Sequence, residues 1–200
     1  MKIDTLIFDQ GGVLVWTRWE NVTNVWHELT GLAPKAISNR MVAGGAYPPF
    51  MRGEIDRSEF YSNMSVDLGL EQDPAAFFET WSSAIEPNPA IDPLIAKLKG
   101  RARLAIGSNT DELHQARGLE VQPTIGLFED FVLSFEIGEL KPDSEFFDHC
   151  LNQLGAQPDQ CFFTDDRQDN VDSAKSVGIH AVRFESVPQI ESELVAIGIL

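Results

Sequence analysis

The chain has 200 residues, 43% of them hydrophobic and 23% charged, which supports one buried core with a modest insert and excludes both a disordered tail and a multidomain array. The formal net charge is −16, most of it in the second hundred residues. So acidic a chain repels a phosphate backbone and has no basic segment for an anionic membrane, so neither nucleic acid nor a membrane surface is an expected partner.

Met1-Lys2-Ile3-Asp4 runs directly into a strand-like segment, with no signal peptide or membrane span in view. Thr5-Leu6-Ile7-Phe8 reads as a strand buried on both faces, closed by Asp9-Gln10-Gly11-Gly12. From Trp16 to about Glu86 the rhythm changes and no strand is predicted. Trp19, Val22, Val25, Trp26 and Leu29 form a helix stripe up to Gly31. Pro34–Val42, Ser58–Leu68 and Pro74–Ile85 read as further helices, with Gly44-Gly45 and Pro48-Pro49 as punctuation between them. This stretch is predicted to be a helical insert.

Beyond it, strands and helices alternate. Pro89–Lys99 predicts a helix stopped by Gly100, followed by a strand at Arg103–Ile106 that ends in Gly107-Ser108-Asn109-Thr110. Further strands are predicted at Phe131–Ser134, at Cys161–Thr164 before Asp165-Asp166, and at His180–Phe184. Helices are predicted at Asp143–Leu154, Asp169–Val177 and Pro188–Ile197. The class is α/β with a mostly parallel sheet. Cys150 and Cys161 lie among apolar neighbours at no redox or metal spacing, and a reducing cytoplasm is the expected compartment.

In open parallel sheets, ligands bind at the carboxyl ends of the strands. Asp9, Ser108-Asn109 and Asp165-Asp166 follow three of the predicted strands, and Lys141 lies in the loop after another, so these groups are expected to share one pocket. Clustered carboxylates need compensating charge, and oxygen-only ligands select a hard divalent ion such as Mg²⁺. An aspartate nucleophile, a fixed lysine and a hydroxyl suit a transferring phosphoryl group.

Four segments carry a family resemblance. Phe8-Asp9-Gln10-Gly11-Gly12-Val13-Leu14, Gly107-Ser108-Asn109-Thr110, Gly138-Glu139-Leu140-Lys141-Pro142-Asp143 and Phe163-Thr164-Asp165-Asp166-Arg167-Gln168-Asp169-Asn170 resemble, in order, the four motifs of the haloacid dehalogenase superfamily. The resemblance covers the whole core. It implies a Rossmann-like core at 1–15 and 87–200 and a helical cap of the C1 type at 16–86. The branch it most resembles is that of bacterial sugar-1-phosphate phosphatases and epoxide-hydrolase-like N-terminal domains.

Carried over by position, the resemblance makes Asp9 the nucleophile and an Mg²⁺ ligand, with Gly11 supplying a backbone carbonyl to the metal. It makes Asp166 a direct ligand and Asp165 an outer or second one. Ser108 and Lys141 hold the phosphate, with Asn109 and the Gly11-Gly12 turn beside it, and Asn170 orients water. The implied activity is Mg²⁺-dependent hydrolysis of a small, sugar-phosphate-like metabolite.

Gly11 departs from the pattern: most phosphatases of the superfamily place a general-acid aspartate there. General acid catalysis is worth about 10²–10⁴-fold, so a better leaving group is expected, such as an anomeric sugar, acyl or aryl phosphate. Two alternatives are a metal-independent 2-haloacid dehalogenase, which needs no leaving-group proton, and a non-catalytic binding protein of the same fold.

Several residues have plainer readings. Ser108 or Thr110 would cap the following helix, and Asp169 would be a first-turn helix acid. His27, His114, His149 and His180 are expected to be surface or packing residues. Trp16, Trp19 and Trp26 are expected in the core of the insert. Arg18, Arg52 and Tyr47-Pro48-Pro49-Phe50 are read as structural first and substrate-facing second.

Overall fold

The computed structural model describes residues 3–43 and 45–200, apart from the side chain of residue 43; Met1, Lys2 and Gly44 lie outside the described residues. In chain order the elements are β1 (Thr5–Phe8), β2 (Val15–Thr17), α1 (Trp19–Thr30), α2 (Pro34–Ala43), α3 (Tyr47–Met51), α4 (Arg57–Leu68), α5 (Pro74–Ser82) and β3 (Ile85–Pro87). There follow α6 (Asp92–Leu98), β4 (Arg103–Ser108), α7 (Glu112–Val121), β5 (Asp130–Leu133), α8 (Ser134–Ile137), α9 (Ser144–Leu154), β6 (Cys161–Asp165), α10 (Gln168–Ser176), β7 (His180–Arg183) and α11 (Val187–Ala196). No helix among the described residues is long and apolar enough to cross a membrane.

Five strands form one parallel sheet in the order β5-β4-β1-β6-β7, as the α/β reading predicts. Alternation along each strand sends side chains to opposite faces. Leu6, Phe8, Leu104, Ile106 and Phe162 meet Ile95, Ile190 and Leu194 on one face. Ile7, Ala105, Val132 and Phe163 meet Phe146, Phe147, Val171 and Ala174 on the other. Both faces are thus covered, which is why the strands read as unbroken apolar runs.

The segment between β1 and α6 has its own apolar cluster. Trp26 stacks on Phe77, Phe50 stacks on Phe60, and Trp81 sits edge-on to Tyr47. Trp26, Phe60, Phe77 and Trp81 are fully buried there. Three differences from the sequence expectations arise here. The stretch was expected to hold no strand, yet its two ends pair as an antiparallel ribbon, Val15 opposite Pro87 and Thr17 opposite Ile85. Ile85, expected to end a helix, belongs to that ribbon, because the chain must leave and re-enter the core side by side. The Pro48-Pro49 punctuation is instead inside α3, where proline near the first turn loses no helical hydrogen bond.

Candidate active site

The loop after β1 is folded by its own backbone. Gly12 N–H donates to the Val15 carbonyl at 2.7 Å, and Leu14 and Val15 N–H both donate to the Gln10 carbonyl. Gly12 takes φ 78°, and a β-carbon there would meet the Asp166 carboxylate at 2.7 Å. Glycine at this position therefore lets the first loop close against the acidic pair after β6. The Asp9 N–H donates to the Thr164 carbonyl at 2.9 Å, fixing the same two loops together.

Lys141 is the hub. It is buried, and its ammonium donates to Asp9 Oδ1 at 2.8 Å, Asp165 Oδ2 at 2.6 Å and the Gly107 carbonyl at 2.8 Å. Its three protons are all engaged. Asn109 holds the Lys141 backbone from both sides: its amide donates to the Lys141 carbonyl, and its oxygen accepts from the Lys141 N–H, each at 2.8 Å. The Asn109 side chain is therefore spent on positioning Lys141.

Asp165 is fully buried and saturated. It accepts from Lys141, from the Arg167 N–H at 2.9 Å and from the Asn170 amide at 3.0 and 2.9 Å. The Asn170 Oδ1 is buried and has no hydrogen-bond partner among the described residues. Asp166, beside it, is only half-buried and lines the cavity. Carboxylate oxygens of Asp9, Asp165 and Asp166 lie within 4.8 Å of one another.

These charges do not balance. Three carboxylates face one ammonium. Burial pushes the Asp9 carboxyl up to about 7; the Lys141 charge works against this, and Asp165 and Asp166 work with it. Burial also raises Asp166, with Asp165 adding to it. Burial alone would lower Lys141, but Asp9 and Asp165 together hold it above the usual lysine value.

The donor set fits a hard divalent cation. Its titratable side chains offer only carboxylate oxygens, it carries an excess of negative charge, and the buried Asn170 oxygen lacks a donor that metal-bound water would supply.

The cluster opens into a cavity of about 740 Å³. Asp9, Gly11, Gly12, Ser108, Asn109, Lys141, Asp166 and Asn170 all line it, so strand ends remote in sequence converge as the topology rule requires. Ser108 is the last residue of β4 and is almost fully buried. Gly11 lies against β2: a β-carbon on it would meet Thr17 Oγ1 at 2.9 Å. Trp16, Trp19, Tyr47 and Pro48 also line the cavity, whereas Trp26 and Phe50 are in the helical core. Arg18 instead pairs with Glu86 at 3.7 Å.

Other expectations change. Neither Ser108 nor Thr110 caps α7; Asp111 does, accepting from the Leu113 and His114 N–H groups. His114 is more than packing. It pairs with buried Asp111 at 2.9 Å, contacts the Trp81 carbonyl at 3.0 Å and stacks on the Trp81 ring. The i, i+3 spacing of Asp111 and His114 was the available signal. Asp169 pairs with Arg167 at 2.6 Å in the first turn of α10, as expected.

Residues 3–178 match the family described as haloacid dehalogenase-like hydrolases. A sesquiterpene phosphatase, astK, from Aspergillus oryzae is 29% identical over 178 residues, covering 86% of this chain and 85% of its own. Phosphatase MT3486 from Mycobacterium tuberculosis is 27% identical, covering 90% of this chain and 87% of its own. Among solved structures, a haloacid dehalogenase family enzyme from Bacteroides thetaiotaomicron, in complex with magnesium and inorganic phosphate, superposes with a TM-score of 0.82. It is 23% identical and covers 92% of this chain and 94% of that one, a likeness of fold.

Proposed function

This chain belongs to the haloacid dehalogenase-like hydrolase family, and on that premise we propose that it is an Mg²⁺-dependent phosphatase acting on a small phosphorylated metabolite. The observation that carries the reading is the trio Asp9, Asp165 and Asp166 within 4.8 Å, with the Lys141 ammonium between two of them and Asp9, Asp166 and Lys141 lining the cavity. Two curated relatives that match most of the chain are phosphatases, which supports the same reaction class.

Asp9 is the nucleophile. One of its carboxylate oxygens attacks phosphorus in line, the bond to the leaving oxygen breaks, and water then hydrolyses the aspartyl-phosphate. Lys141 orients Asp9 and balances charge, passing its Asp9 hydrogen bond to the phosphate as the substrate seats. Ser108 and the N–H groups of the Gly11-Gly12 turn complete the phosphate seat, and Asn109 holds Lys141 in place.

Asp9, Asp166 and the Gly11 carbonyl would hold the metal, with Asp165, already saturated by hydrogen bonds, acting behind them and Asn170 orienting water. A bound Mg²⁺ would offset the carboxylate charge that otherwise repels a phosphate dianion. Residues 16–86 act as a cap over the core of 1–15 and 87–200, shedding water as the substrate binds. Two buried free cysteines suit a reducing cytoplasm.

The test is hydrolysis of an activated aryl phosphate with Mg²⁺ and with EDTA. Turnover that EDTA stops and Mg²⁺ restores is the expected result. Chloride release from a 2-chloro acid without Mg²⁺ would replace this reading with a dehalogenase, and inertness towards both would leave a binding protein.

A further inference from the structure

We infer that the organic part of the substrate is apolar, an alkyl or aryl group rather than a sugar; this rests on the phosphatase reading above. The cavity has two unlike sides. Of its charged lining groups, Asp9, Asp166, Arg167 and Glu185 come from loops at the strand ends, Lys141 comes from the loop after α8, and His114, already paired with buried Asp111, comes from the first turn of α7. The side supplied by α1, α2 and α3 is formed by Trp19, Met41, Val42, Tyr47, Pro48 and Met51. Among the described residues, no charged side chain of those three helices lines the cavity. Its polar exceptions are the Ser38 hydroxyl and the Tyr47 phenol, with Thr17 at the ribbon beneath.

A sugar ring brings several hydroxyls that lose water on entry and need partners; hydroxyls left unpaired in such a site count against binding. This wall has too few partners for them. An alkyl or aryl group needs none, and the thioethers of Met41 and Met51 adapt to its shape. The volume, about 740 Å³, lies in the range of pockets that enclose drug-sized organic molecules, far beyond what a phosphate alone needs. Val42 is 64% exposed, an aliphatic surface left to water beside the cavity until something apolar covers it. An aryl group also meets the demand set by Gly11, because a phenolate leaves more readily than an alkoxide.

The test is calorimetric binding of n-alkylphosphonates of increasing length to the Mg²⁺-loaded protein, with a hexose phosphate for comparison. Affinity is expected to rise about fourfold for each of the first added methylenes, with an increasingly negative heat-capacity change. The hexose phosphate is expected to bind no tighter than the shortest phosphonate. Val42→Asn and Met51→Asn are expected to flatten the series. A flat series in the native protein, an unchanged slope in both variants, or preference for the hexose phosphate overturns the inference.

Acetyl phosphate hydrolysis in the same preparation separates the two readings. Turnover with a flat binding series overturns the apolar leaving group alone. No turnover overturns the phosphatase reading and the substrate class with it.

Discussion

The two sides of the cavity are built by opposite means. On the sheet side, topology brings Asp9, Lys141 and Asp165 together, and hydrogen bonds fix every one of them: Lys141 uses all three protons and Asp165 accepts from three residues. On the helical side, position is set by packing. Trp19 lies 5.6 Å from Tyr47 and 5.4 Å from Trp81, and no hydrogen bond is needed to hold it. The difference separates two kinds of substitution. On the proposed reading, changes on the sheet side should alter charge balance and reactivity, whereas changes on the helical side should alter which molecule fits.

The largest expected effect breaks the sheet side at its reactive atom. Asp9→Asn keeps an acceptor for Lys141 but removes the proposed nucleophile, and turnover should fall by about four orders of magnitude or more. The fold should survive, because the substitution relieves repulsion between buried carboxylates. Steady-state kinetics with a far-ultraviolet spectrum checks both parts; activity within tenfold of the native enzyme would sink the nucleophile assignment.

The next effect lies where the two sides meet, at the ribbon. Gly11→Asp would restore an acid near the leaving group, yet its β-carbon would press on Thr17 Oγ1 at 2.9 Å. The informative protein is therefore Gly11→Asp combined with Thr17→Ala, compared with Thr17→Ala alone. Poor leaving groups should gain up to about 10²–10⁴-fold, and the dependence of rate on leaving-group pKa should flatten. Equal slopes in the two proteins would show that Gly11 does not limit protonation.

Lys141→Met tests how the sheet side bears its charge. Asp9 and Asp165 would be left buried without their counter-ion, which costs about 3–5 kcal/mol. Divalent cation should recover part of this, because a ligand bound only by the folded state stabilises it. Urea denaturation with Mg²⁺ or EDTA measures both; a loss below 1 kcal/mol (roughly the worth of an exposed pair) would show that Lys141 is not the charge balance.

Legibility followed the same division. The strands could be read because both sheet faces are covered, so Leu6-Ile7-Phe8 and Phe162-Phe163 leave no polar alternation to mislead. The strand-end groups could be placed in one pocket from topology alone. The β2–β3 ribbon could not, because it pairs three residues with three others about seventy positions away, and short non-local pairing has no periodicity. The sequence does not mark out Trp81, although it contacts Trp19, Trp26, Tyr47 and Phe60, because helix spacing shows which face is buried and not what meets it. The apolar cavity wall is hidden for the same reason: Tyr47 reads as structural first and substrate-facing second, nothing in the sequence singles out Met41 or Met51, and only the fold shows that all three line the cavity that Asp9 and Asp166 also line.

The smallest effect concerns the pair that joins the two sides, Asp111 at the cap of α7 and His114 in its first turn, against Trp81 on α5. Burial works against the charge on both. The His114 charge and the bonds to Asp111 nevertheless hold that carboxyl below its usual 3.8, and the Asp111 charge holds His114 above its usual 6.5. Tyr47 faces the pair from α3 and stays neutral, because burial and then the Asp111 charge raise its hydroxyl. A lowered carboxyl contributes stability that is present above 3.8 and lost as pH falls through the folded value. A raised histidine contributes stability that is complete below 6.5 and lost as pH climbs through its folded value. The pair therefore holds α7 to α5 most strongly between those limits. Above them stability should decline by at most about 1.4 kcal/mol per pH unit, the linkage of one proton. Asp111→Asn should keep the helix cap, since asparagine accepts the same N–H bonds, while removing this slope. Urea titrations from about pH 5 to 9 compare the two proteins, and a difference in stability that stays constant across that range would mean that the pair is neutral and joins α7 to α5 by packing alone.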